Sequence, residues 1–363
     1  MTAAAGEAES APAPRDPAAA ERQELIERWA ERHGIDAARR LAAAEDLADA
    51  VAAEITPDNT TDTYTKSWRV WQRFCRSTGL PELEGSRGSL VAYVTWMLRE
   101  GRQDGTGYAP AAAKTHLAAA VVGLRERGQT VSKDAASAAS TALEGLTVKL
   151  LKSGERRGRG KAVAADIEGL YAIVRACPDT LTGDRDKALA LTSFHYAGRA
   201  SEPAGLLVAD VVLRPRGLVV SVLTGKTKHS VRNAKIPYAR DPEVCPVRAF
   251  LAYRARLVTE HGAQHGHPSA PAFVGIDRWG HVTGGMGPDG ITRAVKRISR
   301  RAGVPIDWTG HSLRAGLATE SRKKGRDAVA IARQGGWAPD SREMLGYMRA
   351  ADEWDDNASA GLA

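Results

Sequence analysis

The sequence is poor in several features that mark common protein classes. Its three cysteines, Cys75, Cys177 and Cys245, are odd in number and far apart in 363 residues. That spacing argues against a disulfide framework or a cysteine-based zinc cluster and points to a reducing compartment. No apolar run approaches the roughly 20 residues needed to span a bilayer, and no basic segment followed by an apolar one opens the chain. The protein is therefore expected in the cytoplasm. Aromatic residues make up only 6%, yet 43% of the chain is hydrophobic, enough to build packed cores and to exclude wholesale disorder. This length suits two domains plus tails better than one core.

Lysine is missing from residues 1–54, which hold 6 Arg against 12 Asp and Glu, a local net charge of −6. The formal net charge of the whole chain is +8, so the other 309 residues carry +14. A basic body of that size suits a polyanionic partner, because neutralising phosphates releases condensed counterions. Charge alone leaves an ordinary high-pI protein equally open.

Residues 1–20 are Ala-, Pro- and Glu-rich and read as a disordered tail. Residues 21–56 read as an acidic helical extension, one helix from about Ala20 to Glu54 ending before Pro57. A helical block follows over 57–151. In its first helix, Tyr64, Trp68, Trp71 and Cys75 recur at i, i+4, i+7 and i+11, one helical face. Lys66, Arg69, Arg73 and Arg76 lie on the opposite face, as DNA contacts or as an ordinary solvated stripe. Residues 152–162, with five basic side chains and three glycines, read as an exposed basic linker. Residues 163–350 read as mainly helical, interrupted by two short strands, 217–224 and 231–237, joined by the turn Gly225-Lys-Thr-Lys-His-Ser230. A tail, 351–363, closes the chain.

Four separated clusters in the second half carry candidate chemistry. In Tyr196-Ala-Gly-Arg199-Ala-Ser-Glu202, Glu202 stands one helical turn from Arg199 and can orient its guanidinium. Read alone, such pairs are most often surface ion pairs. The hairpin turn carries Lys226 and Lys228. It departs from a Walker loop, which needs glycine where this chain has Val220, and by itself a hairpin tip is usually just solvated. In Thr309-Gly-His311-Ser-Leu-Arg314, an imidazole and a forked cation share one helix face. The last cluster joins Gly335-Gly-Trp337 to Ser341-Arg-Glu-Met-Leu-Gly-Tyr347-Met, where a tyrosine beside Met and Leu would ordinarily be a packing residue.

Together and in this order, Arg199, a hairpin lysine, His311-x-x-Arg314, Trp337 and Tyr347 resemble the catalytic set of the tyrosine recombinases, the phage-integrase family. Cys245-Pro-Val-Arg-Ala-Phe and Gly290-Ile-Thr-Arg-Ala-Val-Lys-Arg also look typical of that family. The resemblance covers about 163–350, and the block 57–151 resembles the family's core-binding domain. Two departures stand out. Trp337 occupies a position where many members have His, although an indole N–H also donates to a phosphate oxygen. The step from Trp337 to Tyr347 is one position longer than usual, an extra residue that the Ala338–Ser341 loop would absorb.

The resemblance implies a mainly α fold: an N-terminal helical core-binding domain and a helical catalytic domain with a small antiparallel β-sheet. It implies site-specific strand exchange on double-stranded DNA by a tetramer holding two duplexes, located at the nucleoid, without metal, ATP or other cofactor. Tyr347 would form a 3′-phosphotyrosyl bond, Arg199 and Arg314 would hold the non-bridging oxygens, and Trp337 would add a donor. His311 would be the acid/base and Lys226 the acid for the leaving oxygen, with Lys228 as fallback. Lys296, Arg297 and Arg300, around the apolar stripe Ile291, Val295 and Ile298, are expected to meet phosphates. The histidines His261, His265 and His267 lie in a Gly/Pro-rich loop without an obvious fourth ligand and read as solvated rather than zinc-binding. The acidic N-terminal extension, standing where a basic arm-binding domain would, implies action on short core sites. Residues after Tyr347, with Trp354 as anchor, either dock into a neighbouring subunit or fray. A type IB topoisomerase, a hairpin telomere resolvase and a catalytically silent DNA-binding protein are the competing readings.

Overall fold

A computed structural model describes residues 17–55, 58–158, 160, 162–224, 230–305 and 307–352. The chain divides into two compact units, Met1–Gly158 and Arg159–Ala363. Among the described residues no helix is long and apolar enough to cross a membrane.

The first unit begins with α1 (Pro17–His33) and α2 (Ile35–Ile55), which pack on each other. The single acidic helix expected from sequence is thus two. The break falls at Gly34, whose N–H donates to the Ala30 carbonyl (2.9 Å) and closes the last turn of α1. Four helices follow: α3 (Asp58–Thr78), α4 (Arg87–Arg99), α5 (Pro110–Glu126) and α6 (Lys133–Lys152). Ser86 and Ser132 cap α4 and α6 through their side chains. Trp71, Phe74 and Tyr93 are buried to 0% exposure, and Trp71 meets Tyr93 edge-on at 5.0 Å between ring centroids. The expected aromatic stripe is shorter than its spacing suggested, since Tyr64 is exposed and lies one turn beyond the buried core. The basic segment after α6 is partly anchored: Arg157 pairs with Glu155 (2.6 Å) and donates to the Leu98 carbonyl at the end of α4.

The second unit opens with α7 (Ile167–Ala176), capped by Asp166, and α8 (Leu181–His195), capped by Thr180. Helix α8 is buried almost all round, so it forms the spine of the unit. After the short α9 (Ser201–Gly205) come β1 (Val211–Arg214), β2 (Gly217–Thr224) and β3 (Ser230–Pro237), an antiparallel meander in the order β1-β2-β3. Leu218, Val220 and Val222 of β2 alternate into the core with Ala234 and Ile236 of β3. Then follow α10 (Pro246–His261), the hairpin β4 (Val274–Ile276) and β5 (Val282–Gly285), α11 (Pro288–Arg301), α12 (Gly310–Lys323), α13 (Ala328–Gly335) and α14 (Arg342–Asp352). The sequence suggested two strands. Strand β1, four residues long and half-exposed, and the Gly-rich β4–β5 hairpin give too little alternation to read. The architecture is mainly helical with a small antiparallel sheet, as expected.

Candidate active site

The site is built where three chain turns meet. The first is the exit from α8. Ala197 there adopts φ +54°, a left-handed conformation that costs a non-glycine residue about 1–2 kcal/mol. Next to it, Arg199 leaves an exposed guanidinium held by the largely buried Glu202: Arg199 Nη1 donates to Oε1 (2.9 Å) and its backbone N–H donates to Oε2 (3.1 Å).

The second turn is the start of α12, where the Thr309 N–H donates to Ser312 Oγ (3.1 Å). His311, in the first turn, is exposed. One turn on, Arg314 is 1% exposed. Its Nη1 donates to the carbonyls of Ala197 (2.6 Å) and Gly335 (2.7 Å), and its guanidinium stacks on the Trp337 ring at 3.8 Å from the centroid. Burial and the nearby Arg199 charge push the Arg314 pKa down to about 10, so it stays protonated at neutral pH.

The third turn is the exit from α13. A side chain at Gly335 would collide with the Trp337 ring, its Cβ falling 1.9 Å from that ring, and Gly336 sits at φ +64°. Two glycines thus let the chain fold the indole back under Arg314. The Ala338–Ser341 loop then closes through Ser341 N–H to the Ala338 carbonyl (3.0 Å), and α14 begins. Its Met344 and Met348 are buried with Leu317, Ile331 and Trp337, which leaves Tyr347 half-buried on the flank. The Tyr347 hydroxyl donates to Glu343 Oε1 (3.1 Å), and Thr319 of α12 donates to the Tyr347 carbonyl (3.3 Å). Burial and the Glu343 carboxylate push the tyrosine pKa up to about 12, against a smaller opposing pull from Arg314.

Several buried donors at these turns have no partner among the described atoms: Arg314 Nε and Nη2, Trp337 Nε1 and, on β3, Arg232 Nε. Unpaired buried donors are costly, so the three on this stacked pair are candidates to donate to an anion's acceptor oxygens.

The other candidates fall differently. Lys226 and Lys228, and Trp354 with the tail beyond it, lie outside the described residues. Lys66, Arg69 and Arg76 are exposed, but Arg73 is turned inward. It donates to Tyr108 Oη (3.0 Å) and to the Gly101 carbonyl, and lies over the Trp96 ring, so it ties α3 to α4 and to the turn after it instead of facing outward as its spacing suggested. On α11, Arg297 is committed to the buried Asp186 (2.6 Å) and Arg300 to Asp307 (2.7 Å), while Lys296 is half-buried. Among the described residues no group of three or more His, Cys, Asp and Glu stands ready for a metal.

Three neighbours of the site went unread in the sequence. Arg232 on β3 contacts Glu202, Gln334 ties the end of α13 to α8 and β3, and Glu343 holds Tyr347. Arg232 did leave a signal, since it occupies the inward phase of a strand whose next inward residues are Ala234 and Ile236. Glu343 precedes Tyr347 by four positions, the spacing of neighbours on a helix face.

No protein-family profile matches the chain. A curated relative, the "Integrase/recombinase xerD homolog" of Selenomonas ruminantium, is 26% identical over 283 residues, spanning 76% of this chain and 77% of that protein. Solved structures share the fold at low identity. A lambda integrase dimer bound to a COC′ core site aligns with TM-score 0.52 and 14% identity over 84% of this chain and 93% of that one. A lambda integrase tetramer bound to a Holliday junction aligns at 0.52 and 14%, over 92% and 87%. The Tn1549 transposon integrase with transposon right-end DNA aligns at 0.51 and 14%, over 83% and 92%.

Proposed function

Because this chain has the tyrosine-recombinase fold and a recombinase relative in sequence, we propose that it is a site-specific DNA recombinase with Tyr347 as its nucleophile. The observation that carries this reading is the pair Arg314 and Trp337, which stack in the core and keep three buried donors unpaired, with the Arg314 charge felt by Tyr347.

A phosphodiester is an anion and repels nucleophiles, so its charge must be met before attack. Arg199, exposed and oriented by Glu202, and Arg314, through Nε and Nη2, take the non-bridging oxygens, and Trp337 Nε1 adds a donor. Tyr347 Oη then attacks in line. The new bond joins Oη to phosphorus, the bond from phosphorus to the 5′ oxygen breaks, and the product is a 3′-phosphotyrosyl ester with a free 5′-hydroxyl. His311, exposed in the first turn of α12, accepts the phenolic proton, and a hairpin lysine, Lys226 or Lys228, protonates the leaving oxygen. The covalent ester conserves the energy for rejoining, so the reaction runs without ATP.

In this reading residues 57–151 form the core-binding domain, 163–350 the catalytic domain, and four protomers assemble on two duplexes. The lambda integrase structures, by their own descriptions a dimer on a core site and a tetramer on a Holliday junction, support that assembly. Exchange between two marked copies of a target site on one plasmid tests the function. Recombinant products are expected. Relaxation of any supercoiled plasmid without exchange would favour a topoisomerase, and DNA retention with neither outcome would favour a silent binding protein.

A further inference from the structure

Two arginines from different elements bind consecutive carbonyls of the same two turns. Arg314 of α12 takes Ala197 O (2.6 Å) and Gly335 O (2.7 Å). Arg232 of β3 takes the preceding pair, Tyr196 O (3.1 Å) and Gln334 O, through its own Nη1. The exits of α8 and α13 are thus stapled twice, side by side, and the second staple comes from the sheet.

Arg232 also does what Arg314 does not. Its Nη2 reaches Glu202 Oε2 (3.4 Å), the oxygen that accepts the Arg199 backbone N–H, while Glu202 Oε1 holds the Arg199 guanidinium. One largely buried carboxylate therefore lies between two guanidiniums. Burial lowers the Arg232 pKa, and the Glu202 charge opposes that shift. With Arg232 in place, Glu202 is shared, and Arg199 keeps part of its charge for another anion. Without Arg232, Glu202 would pair with Arg199 alone, and two buried carbonyls would lose their donor.

We propose that Arg232 is a positioning residue for the strand-cleavage reaction, setting through Glu202 how much of the Arg199 charge is offered to the scissile phosphate and fixing the two turns that carry Arg314's carbonyl partners. The proposal rests on the recombinase reading above. It assigns Arg232 no contact with DNA, since its side chain is 11% exposed and both of its terminal nitrogens are engaged by protein acceptors, which leaves only the buried Nε without a partner among the described atoms.

The test is single-turnover cleavage of a nicked suicide duplex at saturating protein, with DNA affinity measured separately and folding checked by a thermal melt. Arg232→Gln is expected to slow covalent-adduct formation by about 100-fold, the scale on which small misplacement at a reacting centre is felt, with unchanged DNA affinity. Arg232→Lys, which keeps the charge but cannot fork across two carbonyls and a carboxylate, is expected to fall between. In an Arg232→Gln/Glu202→Gln double variant, the rate should recover part of the loss, because the carboxylate no longer captures Arg199. A purely structural role would give no such recovery. If Arg232→Gln unfolds, Arg232→Lys decides. A folded Lys variant cleaving at the wild-type rate overturns the proposal, as does a slowed Gln variant that neither Lys nor the second substitution improves. Failure of the wild type itself to form an adduct would instead sink the recombinase reading.

Discussion

Arg314 stacks 3.8 Å from the centroid of the Trp337 ring, and each side chain keeps a buried donor without a partner among the described atoms. This pair joins the fold to the proposed chemistry, because Trp337 closes a hydrophobic cluster with Met344 and Met348 on the helix that bears Tyr347.

Removing either member is therefore expected to cost stability as well as activity. Trp337→Ala should destabilise the second unit by about 3–5 kcal/mol, the range for truncating a buried aromatic. Arg314→Lys leaves a buried carbonyl unpaired and should cost about 1–3 kcal/mol. Urea unfolding of each variant reads these losses. Unchanged midpoints would show that the stack is not part of the core.

Gly336 supplies a sharper backbone test. At φ +64°, with a Cβ that would fall 2.6 Å from Arg232 Nε, Gly336→Ala should cost at least the 1–2 kcal/mol or so of a forced left-handed residue. A thermal melt at the wild-type temperature would contradict the geometry.

The proton on Tyr347 is the next handle. The hydroxyl donates to Glu343, and burial with that carboxylate raises its pKa to about 12. The neutral phenol is therefore favoured through the physiological range, and adduct formation limited by its ionisation should accelerate as pH rises. Glu343→Gln removes the charge that opposes ionisation, so the Tyr347 pKa falls and the pH–rate profile moves to lower pH. A profile that stays in place would mean that the contact does not govern the nucleophile.

The division of basic residues between DNA and protein can be read from salt. Arg76 is exposed, and if it meets a phosphate, Arg76→Ala should reduce the slope of log affinity against log salt by about 0.9. Arg73 serves the bundle through Gly101, Tyr108 and Trp96. Arg73→Ala should lower stability by about 1–3 kcal/mol, with the salt slope unchanged.

These contrasts show which parts of the molecule were legible in its sequence. Helical periodicity identifies the bundle, and the ordered clusters single out Arg199, His311, Arg314 and Tyr347 from sequence alone. Periodicity did not reveal that Arg73 points inward, because a four-cation stripe looks the same whether one guanidinium bends back to a carbonyl or all four face water. Nor did it distinguish one acidic helix from two, since the residues on either side of Gly34 are equally good helix formers. Arg232 and Gln334 escaped for a different reason. Their work is done on backbone carbonyls from distant turns, and a carbonyl leaves no trace in residue type.

Tyr347 carries the proposed reaction, although its own surroundings would class it as a packing residue. A duplex nicked beside the cleavage position, so that the released fragment diffuses away, should trap a denaturant-resistant protein–DNA adduct. Peptide mapping is expected to place the DNA on Tyr347, and Tyr347→Phe to abolish the adduct while still binding the duplex. An adduct that survives in Tyr347→Phe, or no adduct from wild-type protein on a site it binds, would contradict the central claim.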